Sequence, residues 1–175
     1  MAYCSQILAG LALECEASQG GIRAVYIANF GDVTAVTETD NIITAITMAD
    51  AKKFYRYQLR KNTSNMESPM TKDDTAGTKF WTTNISMNFG RMTTAKRVEL
   101  EALTSGQFIA IVEDANGTFW MPSTPDDDYM AASAANGVTG TARTDANQYD
   151  MVLTGEATHA PIEVAKAAMA DIVAQ

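Results

Sequence analysis

The longest regular pattern in the chain lies between Thr78 and Phe89. There Trp81, Thr83, Ile85, Met87 and Phe89 alternate with Thr82, Asn84, Ser86 and Asn88. A two-residue period sends each set to its own face of an extended strand, and a helix cannot sustain it over this length. Ser64 to Thr71 supplies a partner strand. Pro69, which has no N–H to give a ladder, assigns that partner to an edge. Between them Lys72, Asp73, Asp74, Thr75, Ala76 and Gly77 carry turn chemistry and predict the tip of a hairpin.

Further strands are predicted over Arg23 to Asn29, Asn41 to Thr47 and Lys53 to Lys61, the last from the alternation of Phe54, Arg56 and Gln58 against Tyr55, Tyr57 and Leu59. Gln107 to Glu113 is apolar throughout its middle and predicts a buried strand. Asn116-Gly117 then predicts a tight turn, with Thr118 to Met121 returning. Pro122 to Gly140, rich in Pro, Asp, Ala and Gly, reads as a loop, and Gln148 to Thr154 as the last strand. A helix is predicted from Thr93 or Thr94 to about Leu103, with Ala95, Val98 and Ala102 on its apolar stripe, Leu103 beside that stripe and Gly106 beyond the helix end. After Pro161 the period changes again. Ile162, Ala165, Met169, Ile172 and Val173 predict a second, C-terminal helix. The expected class is mainly β with segregated helices and no internal repeat. Residues 1–160 form one β domain with an N-terminal arm, and 161–175 form the terminal helix.

The 175 residues are 46% hydrophobic and 19% charged, a globular balance. The net charge of −8 argues against gripping nucleic acid, whose affinity comes mostly from Lys and Arg. No apolar run is long enough for a membrane helix. The segment Ser5 to Leu13 looks like the core of a signal peptide, but no Lys or Arg precedes Arg23, and Glu14 spoils a lipoprotein box before Cys15. The expectation is a reducing cytosol with Cys4 and Cys15 as thiols, a disulfide between them being the minor alternative. The Asn62, Asn84 and Asn116 sequons then carry no glycan.

Catalytic chemistry finds little support. His159 has no neighbouring nucleophile, and no Gly-x-Ser-x-Gly turn occurs, so it reads as a surface histidine. Cys15 reads as a small packed hydrophobe sooner than as a thiol nucleophile working with His159. Asp126, Asp127 and Asp128 lack the Gly and terminal Glu of a calcium loop and read as solvated charge. Gly20-Gly21 is no phosphate loop. Tyr55, Tyr57 and Trp81 are the residues able to stack on sugars or bases, although strand aromatics more often serve a core or an interface. Met66, Met70, Met87, Met92 and Met121 read as adaptable packing. No enzyme activity, cofactor or metal is expected. The charge distribution says more. Residues 51–100 hold ten of the 13 basic and four of the 21 acidic residues, a net +6 against −14 for the rest. One reading is a solvated basic face. The other is a chain that meets copies of itself, basic surface to acidic surface, in a heterologous contact.

The run from Phe54 through Met66, the hairpin Asp74 to Trp81, Met92 to Arg97 and Ile111 to Trp120 together carry a resemblance. So do Gly10 to Glu16 and Val25 to Asn29. Over roughly residues 3–155 the chain resembles tail structural proteins of phages of gut Bacteroides-type bacteria, including crAss-like phages. The segment after Pro161 departs from that pattern. The resemblance implies a tail-tube-like β-sandwich or barrel, a non-enzymatic virion subunit, and a ring of the tail tube or tail barrel around the DNA exit channel. Its partners would be copies of itself and neighbouring tail, connector or portal proteins. Genomic DNA would pass without being held, no membrane would be involved, and assembly would take place in the host cytoplasm. The lumen is expected to be acidic or free of basic clusters. Predicted subunit contacts are Lys72, Asp73, Asp74, Thr75, Gly77 and Trp81 of the hairpin. Arg56 and Arg60 of the basic strand and Ile162 and Met169 of the terminal helix complete the set. The alternatives are a head–tail connector or auxiliary capsid subunit and, in another class, a monomeric β-sandwich that binds glycan or peptide through Tyr55, Tyr57 and Trp81.

Overall fold

The structure, a computed structural model, describes residue 11 and residues 17–174. The expectations for Cys4, Cys15 and the Ser5 to Leu13 segment therefore fall largely outside the described residues. Strands account for 50% of the chain and helices for 11%, so it is mainly β. The first strands are β1 (Ile22–Asn29), β2 (Val33–Thr39), β3 (Ile42–Met48) and β4 (Tyr55–Gln58). Next come β5 (Asn65–Glu67), β6 (Met70–Asp73), β7 (Thr78–Gly90) and the helix α1 (Thr94–Thr104). The chain ends with β8 (Phe108–Asp114), β9 (Phe119–Met121), β10 (Ala131–Val138), β11 (Gln148–Ala157), β12 (Ile162–Val164) and a one-turn α2 (Lys166–Met169).

These strands build two sheets. The large one runs β2-β3-β12-β9-β8-β1-β4, and the small one β10-β11-β7-β5, with β6 also on β7. All pairings are antiparallel except β12 with β3. The centre of the large sheet is covered on both faces, which is why Phe108 to Val112 is continuously apolar and buried. On one face Val25, Ile27 and Val112 meet Ile85, Met87 and Leu153 of the small sheet and Leu100 and Leu103 of α1. On the other, Tyr26, Ile109 and Ile111 meet Phe54, Met121 and Met169. The second core is closed by the C-terminus. From β12 in mid-sheet the chain runs to the β4 edge, where the Phe54 N–H donates to the Ile172 carbonyl at 2.7 Å and the Ala174 N–H donates to the Phe54 carbonyl at 2.9 Å.

The hairpin is where alternation predicts it. The structure corrects four other expectations. The terminal helix is absent over Ile162–Val164, which join the sheet, and only Lys166–Met169 is helical. The side chains of the predicted stripe still turn inward, because the sheet offers this segment paired backbone bonds as well as a core. On α1, Ala95, Val98 and Ala102 are exposed, while Leu100 and Leu103 are buried. Both stripes have helical spacing, and the leucines carry more apolar area to remove from water. The N-cap is Thr93, whose hydroxyl accepts the Lys96 N–H. The supposed loop contains β10, whose Ala-Ala-Ser-Ala-Ala run has low strand propensity and is held by the β11 ladder. Gly106 is no left-handed cap. A Cβ there would lie 1.9 Å from the Phe108 ring, so the glycine makes room for that side chain.

Candidate assembly surface

The outer face of the small sheet is the most distinctive surface. The β7–β11 register places Asn88 against Asp150, Ser86 against Val152, Asn84 against Thr154 and Thr82 against Glu156. Two of these pairs are joined by side-chain hydrogen bonds. Asn88 donates its amide to Asp150 at 2.5 Å, and Gln148 donates to both Asp150 oxygens at 3.0 and 3.1 Å. The Thr154 hydroxyl lies 2.8 Å from both Asn84 Oδ1 and Ser133 Oγ. The strands β5, β7, β10 and β11 contain a single basic residue, Lys79, and the pleat turns it to the opposite side. Their outer face therefore carries Glu67, Asp150 and Glu156 with no Lys or Arg. Such a face repels a polyanion and offers it no phosphate contact.

Beyond this face the β6–β7 hairpin projects. Met70 stands opposite Trp81, Lys72 opposite Lys79 and Asp73 opposite Thr78. Every residue from Met70 to Lys79 is exposed. Asp73 accepts the N–H groups of Thr75 at 2.8 Å and Ala76 at 3.1 Å, which hold its carboxyl below the usual range. Gly77 takes φ +69°, the left-handed conformation that closes the turn. Lys72 Nζ lies 2.5 Å from Asp74. Thus Lys72, Asp73, Asp74, Thr75 and Gly77 come together at the tip, with Trp81, half-exposed, at its base.

The other predicted contact residues lie elsewhere. Arg56 sits on β4, 3.8 Å from Glu113 and over the Tyr26 ring, and Arg60 is exposed where the chain crosses between the sheets. Ile162 is half-buried in β12. Met169 is buried inside the chain's own second core, because α2 folds onto the large sheet. The basic segment is thus divided among β4, the hairpin and α1, and makes no single basic face. Tyr55 and Tyr57 share a groove against α1, where the Tyr57 hydroxyl donates to Glu99 at 2.5 Å. Burial, followed by that carboxylate, pushes the Tyr57 phenol up. Trp81 belongs to the other sheet, so the three aromatics make no common platform.

His159 is half-buried, contrary to the surface position its sequence context implies. Its Nδ1 lies 2.8 Å from the Ala160 carbonyl and its Nε2 2.8 Å from Asp127 Oδ2. Both ring nitrogens thus face oxygen partners. Asp127 also accepts the Thr124 N–H at 3.0 Å and the Thr124 hydroxyl at 2.9 Å. Burial opposes its charge, yet the Thr124 donors and then His159 hold the carboxyl below its usual value. This clasp ties the loop after β9 to the β11–β12 connection. Its members lie far apart in sequence, and no local motif announces them. Asp126 and Asp128 stay exposed, and among the described residues no His, Cys, Asp and Glu group could hold a metal ion. Among the described residues no helix is long and apolar enough to cross a membrane. Comparison with family models, curated proteins and solved structures gives no match for this chain.

Proposed function

We propose that this chain is a virion structural subunit that assembles with copies of itself into a ring of a phage tail, tube or barrel, through which DNA passes. The observation that carries this reading is the outer face of the small sheet, where β5, β7 and β11 present a largely polar ladder with Glu67, Asp150 and Glu156 and no basic side chain. A wall of this kind lets a duplex slide, because it offers no cation to replace the counterions around the phosphates. Among the described residues both edges of the small sheet, β10 and the β5–β6 side, have no further strand beside them. β10 has eight residues without charge or proline, two of the devices that keep an edge strand from pairing, and its one irregularity is a bulge at Ala132–Ala134 near its start. β5 and β6 both pair along the same side of β7, so the five strands occupy four antiparallel positions across the sheet. Its two edge strands therefore run in opposite directions, and a head-to-tail junction of β10 with the next copy's β5–β6 edge is itself antiparallel. The specific tail-tube-like fold belongs to this proposal. The glycan-binding alternative loses ground because Tyr55, Tyr57 and Trp81 are divided between the sheets.

The test is negative-stain microscopy of the purified chain together with sedimentation. Rings or short tubes are expected across a range of protein concentrations. A homogeneous monomer at every concentration overturns the reading.

A further inference from the structure

The two ends of the small sheet carry opposite charge. β7 and β11 stay in register over ten residue pairs, from Gly90 opposite Gln148 to Trp81 opposite Ala157, so these ends lie about 30 Å apart. At the Gly90 end, cations arrive from well-separated stretches of the chain. The Arg60 N–H donates to the Asn88 carbonyl at 3.4 Å, and its Cδ lies 3.8 Å from where a Gly90 Cβ would stand. Lys61 and Arg23 line one concavity beside it. Arg91 follows β7 directly, and the Lys96 ammonium donates to the Gly90 and Arg91 carbonyls. Arg143 lies in the loop that joins β10 to β11 at this end. All but Lys96 are exposed, and none of them has an ion pair among the described residues. The carboxylates nearby are engaged locally. Asp145 accepts the N–H groups of Thr141 and Ala142, Asp114 those of Asn116 and Thr118, and Asp150 the amides of Asn88 and Gln148.

At the Trp81 end the sign reverses. Asp126 and Asp128 of the loop before β10 and Glu156 of β11 line a concavity with Phe80 and Thr158, and no Lys or Arg lines it. All three carboxylates are exposed and have no ion pair among the described residues. Asp127 between them is committed to Thr124 and His159. The hairpin beyond carries Lys72 and Lys79 together with Asp73 and Asp74, so it leaves the balance unchanged.

We infer that the basic Gly90 end of one copy seats on the acidic Trp81 end of the next, with Arg60, Lys61 and Arg91 meeting Asp126, Asp128 and Glu156. The occupant is a second copy of this chain. The contact rests on the ring proposed above and extends it. The junction of β10 with the β5–β6 edge runs across the strands and closes a ring, whereas this contact runs along them and sets one ring on another. A head-to-tail contact that does not close propagates, so the product is an open stack. Opposite ends attract and like ends repel, so every ring in the stack points the same way.

Charge reversal at either end tests this, with negative-stain microscopy and sedimentation as readouts. The variants Arg60→Glu/Lys61→Glu and Asp126→Lys/Asp128→Lys each change two exposed side chains, so both should keep the wild-type circular dichroism and melting temperature. Each should form rings that do not stack under conditions where the wild type stacks. Mixing the two kinds of ring should restore stacks, because each reversed end then meets a reversed partner, and the fourfold reversal in one chain should restore them as well. Wild-type stacks should fall apart into rings as salt approaches 1 M, where charges are screened within about 3 Å. Wild-type rings that never stack, stacks indifferent to salt, or a reversal variant that stacks like the wild type overturn the inference and leave the ring standing. Loss of stacking in both variants without recovery in the mixture also overturns it. Unclosed filaments that each reversal abolishes uphold this contact and sink the ring, and a monomer at every concentration sinks both.

Discussion

Alanine at Gly155 tests how tightly the two sheets are packed. Gly155 lies opposite Thr83 in β11 and is buried on the inner side. A Cβ there would stand 2.6 Å from Met130 Cγ and 3.4 Å from Met130 Cα and Cβ. Carbon atoms pack at about 3.5–4.0 Å, so the methionine side chain must retreat by roughly 1 Å. It has little freedom to do so. Met130 is fully buried, and its backbone exchanges two hydrogen bonds of 2.8 Å with Phe108. The backbone at Gly155 is not left-handed, so alanine brings no dihedral strain and gains about 0.4–1 kcal/mol from a less flexible unfolded chain. Overpacking costs about 1–3 kcal/mol, which exceeds that gain. Urea denaturation should therefore show Gly155→Ala destabilised by roughly 1–2 kcal/mol with an unchanged slope. Met130→Ala alone should cost about 2–5 kcal/mol through the cavity it opens. The double variant should cost less than the sum, since the new methyl group enters space the methionine has left. A Gly155→Ala protein as stable as the wild type, or strict additivity in the double variant, refutes this account of the packing.

Three further outcomes are expected. Asp114 accepts the N–H groups of Asn116 at 2.8 Å and Thr118 at 2.9 Å and the Trp120 indole N–H at 3.3 Å, so Asp114→Ala should open the β8–β9 turn and cost about 1–3 kcal/mol in urea melts. Burial works against the Asp114 charge but these donors prevail and depress its folded value; its contribution is present above the ordinary carboxylate range and fades as pH falls through the folded value, so the variant should show a smaller loss on acidification. Lysines introduced at Asn84 and Thr154 should give assembled particles salt-sensitive DNA retention in filter binding, where the wild type shows none, and lack of retention in both would count against a DNA-facing wall. Replacing Lys72 to Thr78 with a short Gly/Ser turn should leave a folded monomer and stop ring formation in the microscope; normal rings would remove the hairpin from assembly.

Local pattern alone determined the elements whose signals depend on near neighbours. The period-two run of β7 needs only its own pleat, and the turn at Asp74 to Gly77 needs only carboxylates and a glycine with positive φ. Thr93 caps α1 with a contact three residues away, and the apolar run of β8 announces a strand covered on both faces. Tertiary structure decided what two competing local readings left open. Val98 and Leu100 both lie on helically spaced stripes of α1, and the position of the small sheet selects the leucine side. Ile162–Val164 has a helical spacing, yet the unpaired edges of β3 and β9 take it as a strand, because paired backbone groups outweigh a weak local preference. β10 is a strand only because β11 holds it. The surface properties follow the same division. Charges could be counted along the chain, but only the pleat and register gather Glu67, Asp150 and Glu156 on a face without a cation and set Lys72 against Lys79. The His159–Asp127 clasp likewise joins residues 32 positions apart, a distance over which linear order carries no geometric information until the sheets bring them together.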